Sequence, residues 1–391
     1  MKRDATGRYE VASIGGERVR AFVPAPLPPK PALLLDGSLQ QSLELAILAL
    51  GRLDSVSMHL PDESLFLYAY VRKEAVLSSQ IEGTQSSLSD LLLYELDEAP
   101  GVPTDDVRDV SNYVAAVNHG LQRLRENFPL SNRLIREMHQ ILLSGGRGSG
   151  KTPGEFRRSQ NWIGGTRLGN AVFVPPPHTA VPDCMAELER FLHANEDGLP
   201  VLLRAGLAHV QFETIHPFLD GNGRIGRLLI TLLLCHAGVL RQPLLYISLH
   251  FKENRSTYYE LLNHVRRTGD WESWISFFLD GIRVTAEGAV STAQRLTEVF
   301  QMDRNRIHKV AGRRVGSTLR IHQALKAQAI LSIPAACRFT QLSFKAAASA
   351  MELLATHGIA REITGKRRDR VFVYDQYLSI INEGTEIPSN W

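Results

Sequence analysis

Within the twelve residues His216-Pro217-Phe218-Leu219-Asp220-Gly221-Asn222-Gly223-Arg224-Ile225-Gly226-Arg227 lie one imidazole, one carboxylate, a Gly-Asn-Gly run and two guanidinium groups. Gly221, Asn222 and Gly223 permit special backbone dihedrals and present bare N–H groups, and a helix beginning near Asn222 adds its positive dipole end. Together these make an anion cradle. Arg224 and Arg227, three apart, share one helix face and suit bidentate contact with phosphate. Ile225, Leu228, Leu229 and Leu232 mark the opposite, buried face. Asp220 is a hard oxygen ligand placed as a Mg²⁺ shared with a nucleotide requires. His216 can take a proton near neutral pH, which makes it the candidate general base.

A second glycine-rich stretch, Gly145 to Thr152, fits the phosphate-loop pattern G-x-x-x-x-G-K-[ST]. That chemistry needs a strand before the loop and a helix after it, because the phosphates sit on amides at the helix N-terminus. Asn132 to Leu143 has helical spacing instead, and Pro153-Gly154 follows at once, so the stretch reads as a flexible connection.

The elements that must position these groups are mostly helices. Three- and four-residue apolar spacing predicts helices over Gly37–Leu53, Glu63–Ser79 (with Pro61 just before it), Ser86–Leu96, Val107–Phe128 and Asn132–Leu143. The same spacing returns over Pro182–Leu192, Pro200–Glu213, Asn222–Ala237, Asn254–Thr268 and from Asp270 onward. Val23 to Pro31, with five prolines, is an extended entry segment. Between Gly146 and Pro182 a strand-like run, Asn170 to Val174, predicts a loop with a hairpin. Gln301 to Ser317 reads as a charged helical linker. Helices over Arg320–Leu331, from Thr340, and over Ser343–His357, then two short strands around Gly365-Lys366-Arg367-Arg368-Asp369, are the parts of a winged helix-turn-helix.

Charge divides the chain unevenly. The 391 residues carry a net charge of +3. From Arg304 onward, 14 Lys and Arg face 6 Asp and Glu, a balance of +8 that leaves −5 for the rest. Hydrophobic residues at 44% and charged residues at 22% exclude a wholly disordered, collagen-like or disulfide-scaffold chain. Cys184, Cys235 and Cys337 are odd in number and far apart, and read as reduced thiols. Met1 to Glu10 has no apolar segment of a secretory signal, and the longest apolar stretch, Leu228 to Leu240, is too short for a bilayer. The expectation is a cytoplasmic protein with no membrane partner.

His216 to Arg227 matches H-x-F-x-[DE]-G-N-G-R-x-x-R at every specified position, and on these residues the chain resembles Fic-domain proteins. Pro153-Gly154-Glu155-Phe156-Arg157 with Gln160-Asn161-Trp162-Ile163-Gly164 is similar to the family's lead into its β-hairpin flap. Ser256 to Trp271 is similar to its nucleobase-side helix. The fold so implied is mainly α: a Fic helical-bundle core with a β-hairpin flap, a helical N-terminal region and a C-terminal winged helix-turn-helix. The expected boundaries are 1–110, 111–290 for the Fic domain, 291–317 for a linker helix, and 318–391.

The activity that the resemblance implies is transfer of AMP from ATP to a hydroxyl of a target protein. His216 would deprotonate a Tyr, Thr or Ser hydroxyl, and Asp220 would hold Mg²⁺. Gly221 to Arg227, including Ile225 and Gly226, would bind the nucleotide. In that stretch the amides of Gly221 to Gly223 and the side chains of Asn222 and Arg224 would cradle the phosphates, and Arg227 would reach the γ-phosphate. Tyr259 is the candidate for the adenine pocket, and residues 164–175 would dock the target by strand addition. Ser78-Ser79-Gln80-Ile81-Glu82-Gly83 matches the family's inhibitory motif [ST]-x-x-x-E-[GN]. Its Glu82, four residues after Ser78 and followed by Gly83, would pair with Arg227 and block productive ATP binding.

The C-terminal unit suits duplex DNA through Arg361, Lys366, Arg367, Arg368 and Arg370, or else protein docking and homodimerisation, since Ser343 to Ala350 is poor in base-reading side chains. Two function classes follow: an AMP transferase braked by Glu82, and a DNA-binding regulator with a Fic sensor domain. Intact His216 and Asp220 favour the first. Within the enzyme class, removal of AMP and transfer of another nucleotide stay open.

Overall fold

The computed structural model describes residues 6–14, 17–59, 63–96, 104–146, 148–194, 198–366 and 368–386. Pro61, Arg147 and Arg367 lie outside them. The chain opens with an antiparallel hairpin, β1 (Gly7–Ile14) and β2 (Glu17–Pro24), in which Gly7 faces Pro24 and Ile14 faces Glu17. This corrects the helical expectation for residues 1–110 at its start. Val19 and Ala21 are buried with Arg18 and Arg20 exposed between them, the period of a strand, but Phe22, Val23 and Pro24 are all buried. So short an alternation beside a charged start and a proline-rich exit leaves a weak signal.

Helices follow where the apolar spacing predicts them: α1 (Gly37–His59), α2 (Glu63–Ile81), α3 (Leu88–Tyr94), α4 (Thr104–Arg125) and α5 (Asn132–Leu142). Next come α6 (Val181–His193), α7 (Val201–Ile215), α8 (Asn222–His236), a short α9 (Ser248–Glu253), α10 (Arg255–Thr268) and α11 (Trp271–Val310). The pair at the centre is α7 and α8, with α4 and α2 against α8 and α11 against α7. Helix α7 is buried from Leu202 through Ile215, so it is enclosed on all sides, as is most of α8. The single buried face expected for α8 is therefore corrected: Arg224 and Arg227 are buried too.

The 40 residues of α11 form one helix across the expected boundary at residue 290 and through most of the expected linker. Phe300, Asp303 and Ile307 are buried there. Asp303 accepts a 2.6 Å hydrogen bond from Tyr374, which fastens the end of this helix to the C-terminal unit.

That unit runs α12 (Val315–Ala327), β3 (Ile330–Ser332), α13 (Ile333–Thr340), α14 (Phe344–Thr356), β4 (Arg361–Glu362), β5 (Val371–Val373) and α15 (Asp375–Asn382), with sheet order β3-β5-β4. The helix expected over Arg320–Leu331 stops at Ala327, the unexpected β3 and α13 follow it, and no helix begins at Thr340, which instead ends α13. The physical cause is Ser332, whose hydroxyl accepts from the Ala335 amide at 3.2 Å and caps a new helix with Pro334 in its first turn. Ser343 caps α14 in the same way, at its expected start.

Candidate active site

Helix α7 ends on His216, which adopts a left-handed backbone conformation (φ 48°, ψ 61°) uncommon for a non-glycine residue. The Arg157 guanidinium holds this turn from inside. Its Nε donates to the His216 carbonyl at 2.9 Å, and its two terminal nitrogens donate to the carbonyls of Ser159 (3.1 Å) and Pro176 (2.5 Å) at either end of the flap. Burial and the guanidinium charges of Arg266 and Arg157 depress the His216 imidazole to about 3, with Glu82 opposing them. The ring is therefore neutral at pH 7, and its Nδ1 is buried without a hydrogen-bond partner.

The turn from His216 to α8 is locked by Asn222 and His139. The Asn222 side chain accepts from the Phe218 amide and donates to the Phe218 carbonyl, both at 2.9 Å. Its amide group is thus spent on the loop, a correction to its expected role as a phosphate contact. His139 of α5 stacks on Phe218 at 3.7 Å between centroids. Its Nδ1 accepts from the Gly154 amide at 2.9 Å, which leaves Nε2–H to donate to the Asp220 carbonyl at 3.0 Å.

Gly221 takes the positive φ of 76° that its position requires, but its amide donates to its neighbour Asp220 at 2.6 Å. The free cradle amides are instead those of Asn222, Gly223 and Arg224, the first residues of α8, which have no carbonyl four residues back within the helix. Ile225 and Gly226 do not face the cradle: the Ile225 amide already donates to the Gly221 carbonyl at 3.1 Å, and Gly226 lies against the buried Glu213. Arg224 sits 3.6 Å from Asp220 and 3.7 Å from Asp109, with its Nε unpartnered.

Arg227 is fully buried and bound by the segment that ends α2. Its guanidinium donates to the Ser78 hydroxyl and the Ser78 carbonyl, both at 2.9 Å, and to Glu82 at 2.7 Å. Burial works to raise the Glu82 carboxyl, but Arg227, with Arg224 and His216, outweighs it and holds the group below its ordinary value. A Cβ added to Gly223 would meet Glu82 Oε1 at 2.1 Å. The carboxylate therefore lies against the N-terminus of α8, where the helix dipole favours negative charge. Gly83, next in the chain, turns it away at φ 92°.

Tyr259 is half-buried, with its ring 5.0 Å from Tyr258 and the Arg255 guanidinium 5.4 Å over it. Tyr258 is buried and hydrogen-bonded at 2.9 Å to His209, whose other nitrogen bonds the Gly226 carbonyl. The flap closes through a single antiparallel bridge, Ile163 to Phe173, rather than through strands. Gly164 and Gly165, both at positive φ, start its turn. Phe173 packs inward beneath Arg266 (4.0 Å) and beside Phe22 (6.1 Å), while Val172 is 70% exposed. The Phe22 amide of β2 donates to the Val174 carbonyl, so the N-terminal hairpin lies along the flap.

The glycine-rich stretch from Gly145 is preceded by α5 and followed by no helix before Leu168, so it lacks the setting of a phosphate loop. Its Gly148 approaches the Asp220 carboxylate closely instead: an added Cβ would lie 2.9 Å from Oδ2.

Residues 40–122 match the description Fic/DOC family N-terminal, and residues 129–234 match Fic/DOC family. Residues 40–122 are thus similar to the N-terminal domain of the Fic/DOC family, and residues 129–234 to its Fic domain. Over 181 residues it is 31% identical to the protein adenylyltransferase Fic of Drosophila ananassae, an overlap of 46% of this chain and 33% of that one. It thus spans about a third of the length of the curated relatives it matches. A Fic family protein from Desulfovibrio desulfuricans, 18% identical, superposes with a TM-score of 0.57 over 89% of this chain and 98% of its own. A Fic domain containing signaling protein from Bacteroides thetaiotaomicron, 20% identical, gives 0.52 over 66% and 95%. Both likenesses are of fold.

Sequence reasoning placed His216, Asp220, Arg224, Arg227, Ser78 and Glu82, and the structure brings all six together. It missed the parts played by Arg157, His139 and Glu213. His139 sits at helical spacing from Ile135 and Leu142 on the apolar face of α5, where an imidazole needs internal partners. That position was a readable signal. Glu213 is buried with Oε1 unpartnered, and burial raises it to about 7. Nothing in its local sequence marks it.

Proposed function

We propose that this protein transfers AMP from ATP to a Tyr, Thr or Ser hydroxyl, on a target protein and on itself, and that Glu82 restrains it. The Fic/DOC domains and relatives named protein adenylyltransferase Fic support the reaction class. The observation that carries the reading is the Glu82 carboxylate on the α8 N-terminus, bound to the buried Arg227. A guanidinium and open helix amides held by an internal carboxylate are a site for a larger anion, kept occupied.

In the reaction, the neutral His216 takes the hydroxyl proton and the oxygen attacks the α-phosphorus. The new O–P bond forms as the bond to the bridging oxygen breaks and pyrophosphate leaves. A base depressed to about 3 is weak in the free protein; the negative phosphates beside it raise its basicity when ATP binds. The α8 amides and Arg224 receive the phosphates, Arg227 takes the terminal one once Glu82 withdraws, and Tyr259 flanks the base. Among the described residues no group of three or more acidic, His or Cys side chains could hold a metal alone. Asp220, whose Oδ1 accepts from the Gly221 amide while Oδ2 faces Gly148, would supply the one-carboxylate share of a Mg²⁺ that arrives with the nucleotide and would neutralise phosphate charge.

Residues 164–175 are read as the target-docking edge, with Val172 outward. The C-terminal unit is read as a winged helix-turn-helix. Arg361 is bound by Asp375 and Arg370 by Glu352, so two of the five wing cations are spent internally. That favours protein docking over DNA binding. Among the described residues no helix is long and apolar enough to cross a membrane.

The test is the purified chain with Mg²⁺ and α-labelled ATP, wild type beside Glu82→Gly and His216→Ala, with mass spectrometry of the adduct. Label should rise in the first variant and vanish in the second. No AMP adduct in any of the three refutes the reading.

A further inference from the structure

The residues after α15 return to the end of α2, the helix that carries Ser78 and leads into the Glu82 turn. Gln80, buried and two residues before Glu82, donates through Nε2 to the Thr385 carbonyl at 2.9 Å and to the Ser86 carbonyl at 3.1 Å. One side chain thus joins the end of α2, the loop after it and the C-terminal segment. The segment is held from three further sides. Lys252 of α9 donates to the carbonyls of Gly384 (3.1 Å) and Glu386 (2.6 Å), and Arg295 of α11 grips Glu383 with two bonds of 2.6 and 2.7 Å. Asn382 reaches Ser89 of α3 at 3.3 Å.

The backbone is shaped for this seat. Gly384 has φ 80°, and an added Cβ would come within 2.6 Å of the Leu249 side chain. Thr385 is buried, and its amide and hydroxyl both bond the Asn382 carbonyl at 2.8 Å. Such a concentration of backbone-directed bonds fixes the segment against α2, α9 and α11. Its physical effect is on the three-residue turn that presents Glu82. That turn is closed by amide bonds from Glu82 and Thr84 to the Ser79 carbonyl (3.1 and 3.2 Å) and from Gly83 to the Gln80 carbonyl (3.0 Å). A frayed helix end would let the carboxylate swing off Arg227; a helix end bonded to Thr385 resists fraying.

We propose that Asn382–Glu386 is a latch on the end of α2, through which the C-terminal unit sets how firmly Glu82 is held against Arg227. The proposal rests on the reading of Glu82 as a brake and adds its control. Whatever partner draws α15 away from α2 and α11 loosens Glu82, although it touches neither ATP nor target. The coupling runs through one continuous set of bonds, from α15 through Thr385 and Gln80 to the Glu82 turn.

The full chain serves as the test, with Lys252→Met, which removes two latch bonds, and Gly384→Val, which cannot adopt the turn. Hydrogen exchange is followed at the Glu82, Gly83 and Thr84 amides, with the α8 amides from Leu228 to Leu233 as the internal reference. The latch predicts exchange about tenfold faster at the three amides in both variants and unchanged in α8. It also predicts more label from α-labelled ATP in both variants, and no gain from either when it is made in the Glu82→Gly chain. Unchanged exchange at the three amides, or equal acceleration in α8, overturns the latch. So does faster exchange without added label in a protein where Glu82→Gly alone does add label. If Glu82→Gly adds none, the brake reading is what fails, and the exchange arm still decides whether the segment holds the helix end.

Discussion

Replacing Glu82 by Gly should weaken the free protein and tighten its grip on phosphate by a similar free energy. Arg227 is completely buried, and among the described residues its one carboxylate partner by direct hydrogen bond is Glu82, which is itself 37% exposed. Removing one member of a fully buried pair costs about 3–5 kcal/mol, while an exposed pair is worth about 0–1. The half-open position of Glu82, and the two Ser78 bonds that stay with Arg227, place the loss near 2 kcal/mol. Thermal unfolding without ligand should shift down by about 2 °C. The same 2 kcal/mol is no longer opposed when an anion enters, so inorganic triphosphate should bind about thirtyfold tighter by titration calorimetry. Glu82→Gln, which keeps an oxygen acceptor but no charge, should fall between. A Glu82→Gly chain as stable as wild type that binds triphosphate no tighter refutes the idea that the carboxylate and phosphate compete for one cradle.

The flap offers a cleaner separation than its sequence suggests. Val172→Asp, at a 70% exposed position, should lower target modification with thermal stability unchanged, whereas Phe173→Asp should also unseat the N-terminal hairpin and lower stability by about 3 kcal/mol in denaturant titrations. Asn222→Ala removes two bonds to Phe218 and should cost about 2 kcal/mol of stability together with most of the AMP transfer; full stability would show that the loop is held without it. Stability should also fall in acid. Burial depresses His139 to about 4 and His209, His216 and His322 to about 3, so below pH 6.5 the unfolded chain binds protons that the folded one refuses. Glu74 and Glu213, raised by burial to about 7, act the opposite way between pH 4.5 and 7, where the folded chain keeps protons that the unfolded one releases. Four groups outweigh two, and the net slope near pH 5.5 is on the order of 2 kcal/mol per pH unit, checked by chemical denaturation across pH 4.5–6.5.

Most helices were legible because their apolar residues repeat over three or more turns, which leaves little choice of element. The short pieces were not. Ile330–Ser332 and the single bridge between Ile163 and Phe173 are too brief to show a period, and β2 alternates only as far as Ala21. The 40-residue α11 was divided because Gln301–Ser317 looks polar; what ties it to the C-terminal unit is Phe300, just before that stretch, against Tyr374 and Tyr377, and Asp303, which accepts from Tyr374, contacts invisible from local pattern.

The local sequence by itself determined the chemistry on offer: an imidazole, a carboxylate and two guanidinium groups around a Gly-Asn-Gly turn, with a Ser and a Glu one helical turn apart far upstream. Residue types and short spacings suffice for that, since each acts through its own functional group and its immediate neighbours. Only the tertiary structure decided which groups are still free. It turned Asn222 inward onto Phe218, spent the Gly221 amide on Asp220, and laid Glu82 across Gly223 against Arg227. It also carried the last described residues back to Gln80. A buried polar group bonds whatever the fold brings within reach, and between residues 80 and 385 that reach is set by packing, which no local pattern encodes.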